Sequence, residues 1–144
     1  MALLVTSEIE FNKHLREYHY SIQDERGNLL AWEVQKLWEL TKGFQHKKVD
    51  LQTYQDLINK WMSYGGKKND RGQVIVPFDI SHFERIRNAR LEFPILVIND
   101  KSIHRNYRVA DGMHRLMKCY LANIPNILIV EITKMPEPDM VYKK

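Results

Sequence analysis

The sequence predicts an α+β fold: a small mixed sheet with helices packed on it, preceded by an N-terminal helical segment. Three observations carry this. Residues 94–99 (PILVIN) and 126–133 (NILIVEIT) are short apolar runs of strand length, rich in β-branched side chains. Residues 53–63 and 112–123 instead space apolar side chains three and four apart, as on one helix face. The expected order over 81–133, helix–strand–strand–helix–strand, is that of a compact α+β layer. At 144 residues the chain has the length of one domain. The expected organisation is a single domain over 1–144, with its core at about 74–133. An N-terminal helical extension covers about 1–64, and a frayed tail covers 135–144.

Along the chain, residues 8–20 (EIEFNKHLREYHY) predict a short helix. Residues 23–28 (QDERGN) predict a turn, where Gly27 and Asn28 suit positive φ. Over 32–42, Trp32, Val34, Leu37, Trp38 and Leu40 supply the apolar surface of a helix that Gly43 would stop. A second helix is expected over 53–63, started by Asp50 or Thr53, with Tyr54, Leu57, Ile58, Trp61 and Met62 on one side. Residues 65–72 (GGKKNDRG) are the most polar and glycine-rich and predict a mobile loop. Residues 74–78 read as a short extended piece. Ser81 and Glu84 have capping-box spacing for a helix to about Arg90. Pro94 then biases Phe93 to an extended conformation before the strand 94–99, and Asn99-Asp100 begin a turn. Residues 107–110 form the next strand. Residues 112–123 form a helix with Met113, Leu116, Met117, Tyr120 and Leu121 on one face, closed by Asn123-Ile124-Pro125. Two prolines beyond Met135 predict the frayed end.

Several classes are excluded. No apolar run approaches the roughly 18 residues of a membrane span. The opening MALLV lacks a basic flank and soon meets Glu8 and Glu10, unlike a secretory signal. The single Cys119 allows no internal disulfide and no cysteine cage for zinc, so a reducing cytoplasm is the expected home. The histidines show neither an i, i+4 pair nor HExxH, and no Walker A motif is present. Trp32, Trp38 and Trp61 are expected to be core residues. The net charge of +4 is concentrated: residues 82–118 hold 8 Lys/Arg against 4 Asp/Glu, while the flanking segments balance. A local basic excess suits an anionic partner such as phosphate, nucleotide or nucleic acid, or is a solvated basic face.

The segment that carries chemistry is YRVADGMHR, residues 107–115, a strand turning directly into a helix. The first amides of such a helix lack intrahelical partners, and the helix dipole adds positive potential there. Gly112 would let a ligand approach the backbone. His114, Arg115 and Lys118 share a face, so amides, imidazole and guanidinium would make a small anion site. The alternative is a structural turn with Asp111 as N-cap.

The run PILVIN…YRVADGMHRLMKCYLANIPNILIVEI resembles the core of the ParB/sulfiredoxin-like superfamily, in which a Gly-x-His-Arg-type turn opens a helix between strands. The preceding HFERIRNARLEFPILV is similar to the helix and strand before that turn in small ParB-like proteins, and KLWELTKGF…VDLQTYQDL extends the likeness to about 35–133. The resemblance implies a nucleotide or phosphate site at the helix start, using Gly112, Met113, His114 and Arg115, with ATP or CTP and Mg²⁺ as the associated ligands. Met113 stands where sulfiredoxin has its catalytic cysteine, so that chemistry is not expected, and Cys119 reads as a packing residue. The chain ends eleven residues after the last expected strand, so a following helix-turn-helix domain is not expected. The DG-x-HR turn is most similar to that of ParB-like free serine kinases, which implies phosphoryl transfer.

Within that reading Asp111 would hold Mg²⁺ bridging to phosphate, and Asp111 and His114 would join Glu84 as catalytic groups. Kinase-like relatives place a glutamate in a His-x-Glu-like region before the core strand, which makes Glu84 the candidate base; Arg85 or Arg87 would neutralise phosphate charge. The alternative is that Glu84 only closes the capping box or pairs with Arg87. The expected function is a nucleotide/phosphate-binding domain, an NTPase or small-molecule phosphotransferase acting on a nucleotide or phosphorylated small molecule. The alternative is a nucleic-acid-binding or nuclease-like module. No membrane partner is expected.

Overall fold

The computed structural model describes residues 2–14, 19–64, 67–68, 74–76, 80–102 and 108–143. The class is α+β. The elements run β1 (Leu3–Val5), α1 (Glu8–His14), β2 (His19–Gln23), β3 (Leu29–Glu33), α2 (Val34–Leu40), β4 (Lys47–Asp50), a 3-10 turn (Leu51–Tyr54) and α3 (Gln55–Tyr64). They continue β5 (Lys67–Lys68), β6 (Val74–Val76), α4 (Ile80–Asn88), β7 (Ile95–Ile98), β8 (Arg108–Asp111), α5 (Met113–Leu121), β9 (Asn126–Ile132) and β10 (Met140–Tyr142). Strands pair in the orders β1-β10-β3-β2 and β4-β9-β7-β8, with β5-β6 a separate pair. The chain divides into two compact units, one of 1–45, 96–111 and 131–144, the other of 46–95 and 112–130.

In the first unit the C-terminal segment is not frayed. It forms β10, parallel to β1 and antiparallel to β3, so it sits inside the sheet. Asp139 fastens it: its N–H donates to Ala31 O at 2.8 Å, and its carbonyl accepts from Leu3 N–H at 2.8 Å. Its carboxylate accepts from Glu33 N–H at 2.9 Å and Lys36 Nζ at 2.7 Å. Met140 is buried with Val5, Phe11 and Ala31, and Leu29 and Tyr142 pack on them. The prolines do not prevent this, because they precede the strand and the Pro136 carbonyl accepts the Trp32 indole N–H at 2.9 Å.

The N-terminal part is likewise not a helical extension. The helix expected over 8–20 ends at His14, and β2 follows from His19. The helix expected over 32–42 starts at Val34, because Trp32 belongs to β3, where it pairs with Tyr20. The turn over 23–28 forms, with Gly27 at φ 83° and the Asp24 carboxylate accepting the Arg26 and Asn28 amides.

In the second unit β4, which the sequence did not announce, lies antiparallel to β9, and Asp50 caps the 3-10 turn through Gln52 N–H at 2.9 Å. Tyr54 and Ile58 are buried as the helical spacing requires. The side chains of Trp61 and Met62 lie outside the described residues. Of the loop expected over 65–72, Lys67–Lys68 is a strand antiparallel to β6; the rest lies outside the described residues.

Helix α5 ends as its sequence predicts. Asn123 takes φ 57°, its N–H donates to Tyr120 O, and Ile124 N–H reaches back to Cys119 O at 2.9 Å, a Schellman closure. Its buried side is Leu116, Met117 and Cys119. Leu121, expected on that face, is instead exposed. Burial pushes the Cys119 thiol pKa up, which suits packing rather than nucleophilic chemistry.

Candidate functional site

The junction of β8 and α5 is where the sequence places the chemistry. Strand β8 is antiparallel to β7 with a register irregularity at Leu96/Val97. It includes Asp111, so Asp111 is the last strand residue and not the N-cap. Gly112 is the N-cap, at φ 105° and ψ 17°, and as a glycine it makes no side-chain cap bond. Its carbonyl accepts the first helical bond, from Leu116 N–H at 2.9 Å. Tyr107 lies outside the described residues.

Gly112 has a packing reason to be glycine. A Cβ there would lie 3.2–3.3 Å from Cγ1, Cα and Cγ2 of Ile95. The space beside this glycine belongs to β7 and not to a ligand, which corrects the expectation of a ligand's close approach at that point. The amides at the start of α5 nevertheless stand at the positive end of the helix, and Met113, His114 and Arg115 of the first turn are all half-buried.

The surrounding charges are partly engaged. The Asp111 carboxylate is exposed and accepts the Trp38 indole N–H on Oδ2 at 2.8 Å. Arg115 does not turn back to Asp111. Its Nη1 donates to Pro94 O at 3.0 Å, and its guanidinium lies 5.6 Å from the Phe93 ring centroid. Lys118, expected to join Arg115 and His114 in anion binding, has a different task. Its Nζ donates to Arg87 O at 2.8 Å and Ala89 O at 2.9 Å, satisfying carbonyls at the C-terminus of α4. Lys118→Met should cost about 1 kcal/mol by thermal denaturation, and an unchanged melting temperature would show that water replaces the ammonium at no cost.

Helix α4 starts at Ile80, so Ser81 lies inside it and not before it. Glu84, Arg85 and Arg87 are exposed, and Ile86 is buried. Among the described residues Glu84 forms no ion pair with Arg87, whereas Arg90 pairs with Glu92 just beyond the helix. The side chains of Ser81, His82 and Phe83 lie outside the described residues. Helices α4 and α5 pack on one another, so the structure brings the element of Glu84, Arg85 and Arg87 beside that of Met113, His114 and Arg115.

The engagements of Trp38 with Asp111 and of Lys118 with α4 join residues 73 and about 30 positions apart, and no local spacing announces them. Arg90 and Phe93, three apart, carry a weak local signal that the sequence reading passed over. Among the described residues no group of three or more His, Cys, Asp and Glu could hold a metal ion. No helix there is long and apolar enough to cross a membrane. A cavity of about 250 Å³ is lined by Asp24, Glu25, Arg26, Leu30 and Ser102 and by none of the residues singled out above. Its Asp24 carboxylate is taken up by its own turn.

Against protein-family models, curated proteins and solved structures, the chain has no match.

Proposed function

We propose that this chain is a ParB/sulfiredoxin-like nucleotide- or phosphate-binding domain that hydrolyses or transfers phosphate from ATP or CTP. The single observation that carries the reading is the passage of β8 through left-handed Gly112 into α5, a helix whose N-cap is a glycine with no side chain of its own to engage the first amides. In this reading the amides of Gly112, Met113 and His114 take a phosphate, as helix N-termini do. Arg115 stands in the same turn. On the adjoining helix Arg85 and Arg87 neutralise charge, and Glu84 accepts the proton of the attacking hydroxyl or water. His114 is the second proton-transfer group.

Mg²⁺ commonly takes one or two carboxylates plus phosphate oxygens. Asp111 fits that modest demand: it is exposed, and Trp38 engages one of its two oxygens. A bound Mg²⁺ would neutralise charge on the phosphates.

Thermal shift against ATP and CTP, each with and without Mg²⁺, tests the reading. A nucleotide at about 100 times its dissociation constant should stabilise by about 2.7 kcal/mol. In Arg115→Ala, measured against that variant's own baseline, the shift should disappear. In Glu84→Gln, binding should persist while hydrolysis falls about 10²–10⁴-fold. No shift with any nucleotide would sink the proposal.

A further inference from the structure

We propose that the turn between α4 and β7 is a docking surface for single-stranded nucleic acid, with Phe93 as the platform for an unpaired base and Arg87, Arg90 and Arg115 as phosphate contacts. Phe93 is 46% exposed although it stands next to buried Pro94. Exposed apolar residues are ordinary when scattered, but this one is bracketed by charge. The guanidinium carbon of Arg90 lies 5.2 Å from its ring centroid and that of Arg115 lies 5.6 Å away. Such cation–π contacts hold the ring in place at the surface.

The support beneath the ring is firm. Pro94 O accepts from Arg115, and Lys118 ties the carbonyls of Arg87 and Ala89. A base docking there meets a preorganised surface and pays little ordering entropy. The charge suits the partner. Arg87 and Arg90 are exposed, and the opposing carboxylate on the turn is Glu92, paired with Arg90. A protruding ring flanked by guanidiniums stacks on any base and follows a backbone through its phosphates, the pattern of single-strand binding. Duplex reading needs an element that enters a groove, and one ring on a tight turn can stack only on a base that is already unpaired. This surface shares Arg87 and Arg115 with the proposed phosphate site, but Phe93 and Arg90 belong to it alone, so variants of those two test it without touching that site.

The test is fluorescence anisotropy of the full chain with a labelled single strand of about 15 nucleotides, near the upper site size of small single-strand-binding folds. The matching duplex and inorganic polyphosphate serve as competitors, in a salt series. Binding should weaken with salt, and the single strand should compete better than the duplex. Phe93→Ala should weaken binding about 5- to 100-fold, and Phe93→Tyr should retain it. Arg90→Gln should lower the slope of log affinity against log salt by about 0.7. No binding at low salt, equal competition by duplex or polyphosphate, or a Phe93→Ala variant that binds like the parent would overturn the proposal.

Discussion

Asp100→Ala should destabilise the protein by about 3 kcal/mol, which for a chain of this size lowers the melting temperature by roughly 10 °C. Asp100 is only 6% exposed. Its carboxylate accepts Met135 N–H at 2.7 Å, Ser102 N–H at 3.0 Å and Ser102 Oγ at 2.6 Å. Ser102 is exposed and can turn to water, but the bond to Met135 is buried, and a buried amide without an acceptor keeps its full desolvation cost. The lost anchor also lies just upstream of β10, which holds two neighbours in its sheet.

The same contacts fix the pH dependence. Burial pushes the Asp100 carboxyl up, but the hydrogen bonds from Met135 and Ser102 and the charge of Lys134 outweigh it and leave its pKa below the ordinary value. A carboxylate with a depressed folded pKa stabilises the fold above its unfolded pKa, and this is lost as pH falls through the folded value. Stability should therefore drop below about pH 4 in the parent more steeply than in Asp100→Asn. Parallel acid curves, or a loss under about 1 kcal/mol in the alanine variant, would show that the carboxylate is not the anchor.

Gly112→Ala should cost about 2–5 kcal/mol, the sum of two effects. The left-handed backbone costs a residue with Cβ about 1–2 kcal/mol, and φ 105° lies beyond even the small region where such residues are tolerated. Overpacking adds about 1–3 kcal/mol, because one of the three Ile95 atoms in the way is the backbone Cα, 3.3 Å from the new methyl. Gly43 separates the two effects. It has φ 83° but nothing within 4 Å of a built Cβ, so Gly43→Ala should carry only the conformational cost. Denaturant midpoints at unchanged slope measure both. A Gly112→Ala variant no less stable than Gly43→Ala would remove Ile95 from the account. Ligand binding of the folded Gly112→Ala variant then reports whether the junction also matters to the proposed phosphate site.

Much of the second half was legible because its signals are local. Pro94 and the apolar run after it define β7, the β-branched run 126–133 becomes β9, and Asn123 closes α5 through a bond pattern set by neighbouring residues. The glycine at the strand-to-helix turn was legible as well, though its reason was not: only packing against Ile95 shows why the position rejects a side chain. At the candidate site, the turn and the basic helix beside it could be read from spacing. The assignments of Lys118 and of Asp111 could not, since their partners lie far away in sequence.

By itself, then, the sequence determined the α+β class and the strand–turn–helix unit at 108–121, and its lone Cys119 allows no disulfide within these residues. Only the tertiary structure decided the first unit. Strands β1, β2 and β3 are too short and too polar in their neighbourhood to declare themselves, and β10 follows two prolines that locally suggest an unstructured end. A strand of three residues has few local interactions of its own. Its stability comes from backbone bonds to partners, here Met140↔Ala31 and Leu3↔Met140, and from shared burial of Met140 with Val5, Phe11 and Ala31. Those partners stand more than a hundred residues away in the chain, and period and propensity, which compare only near neighbours, carry no information about them.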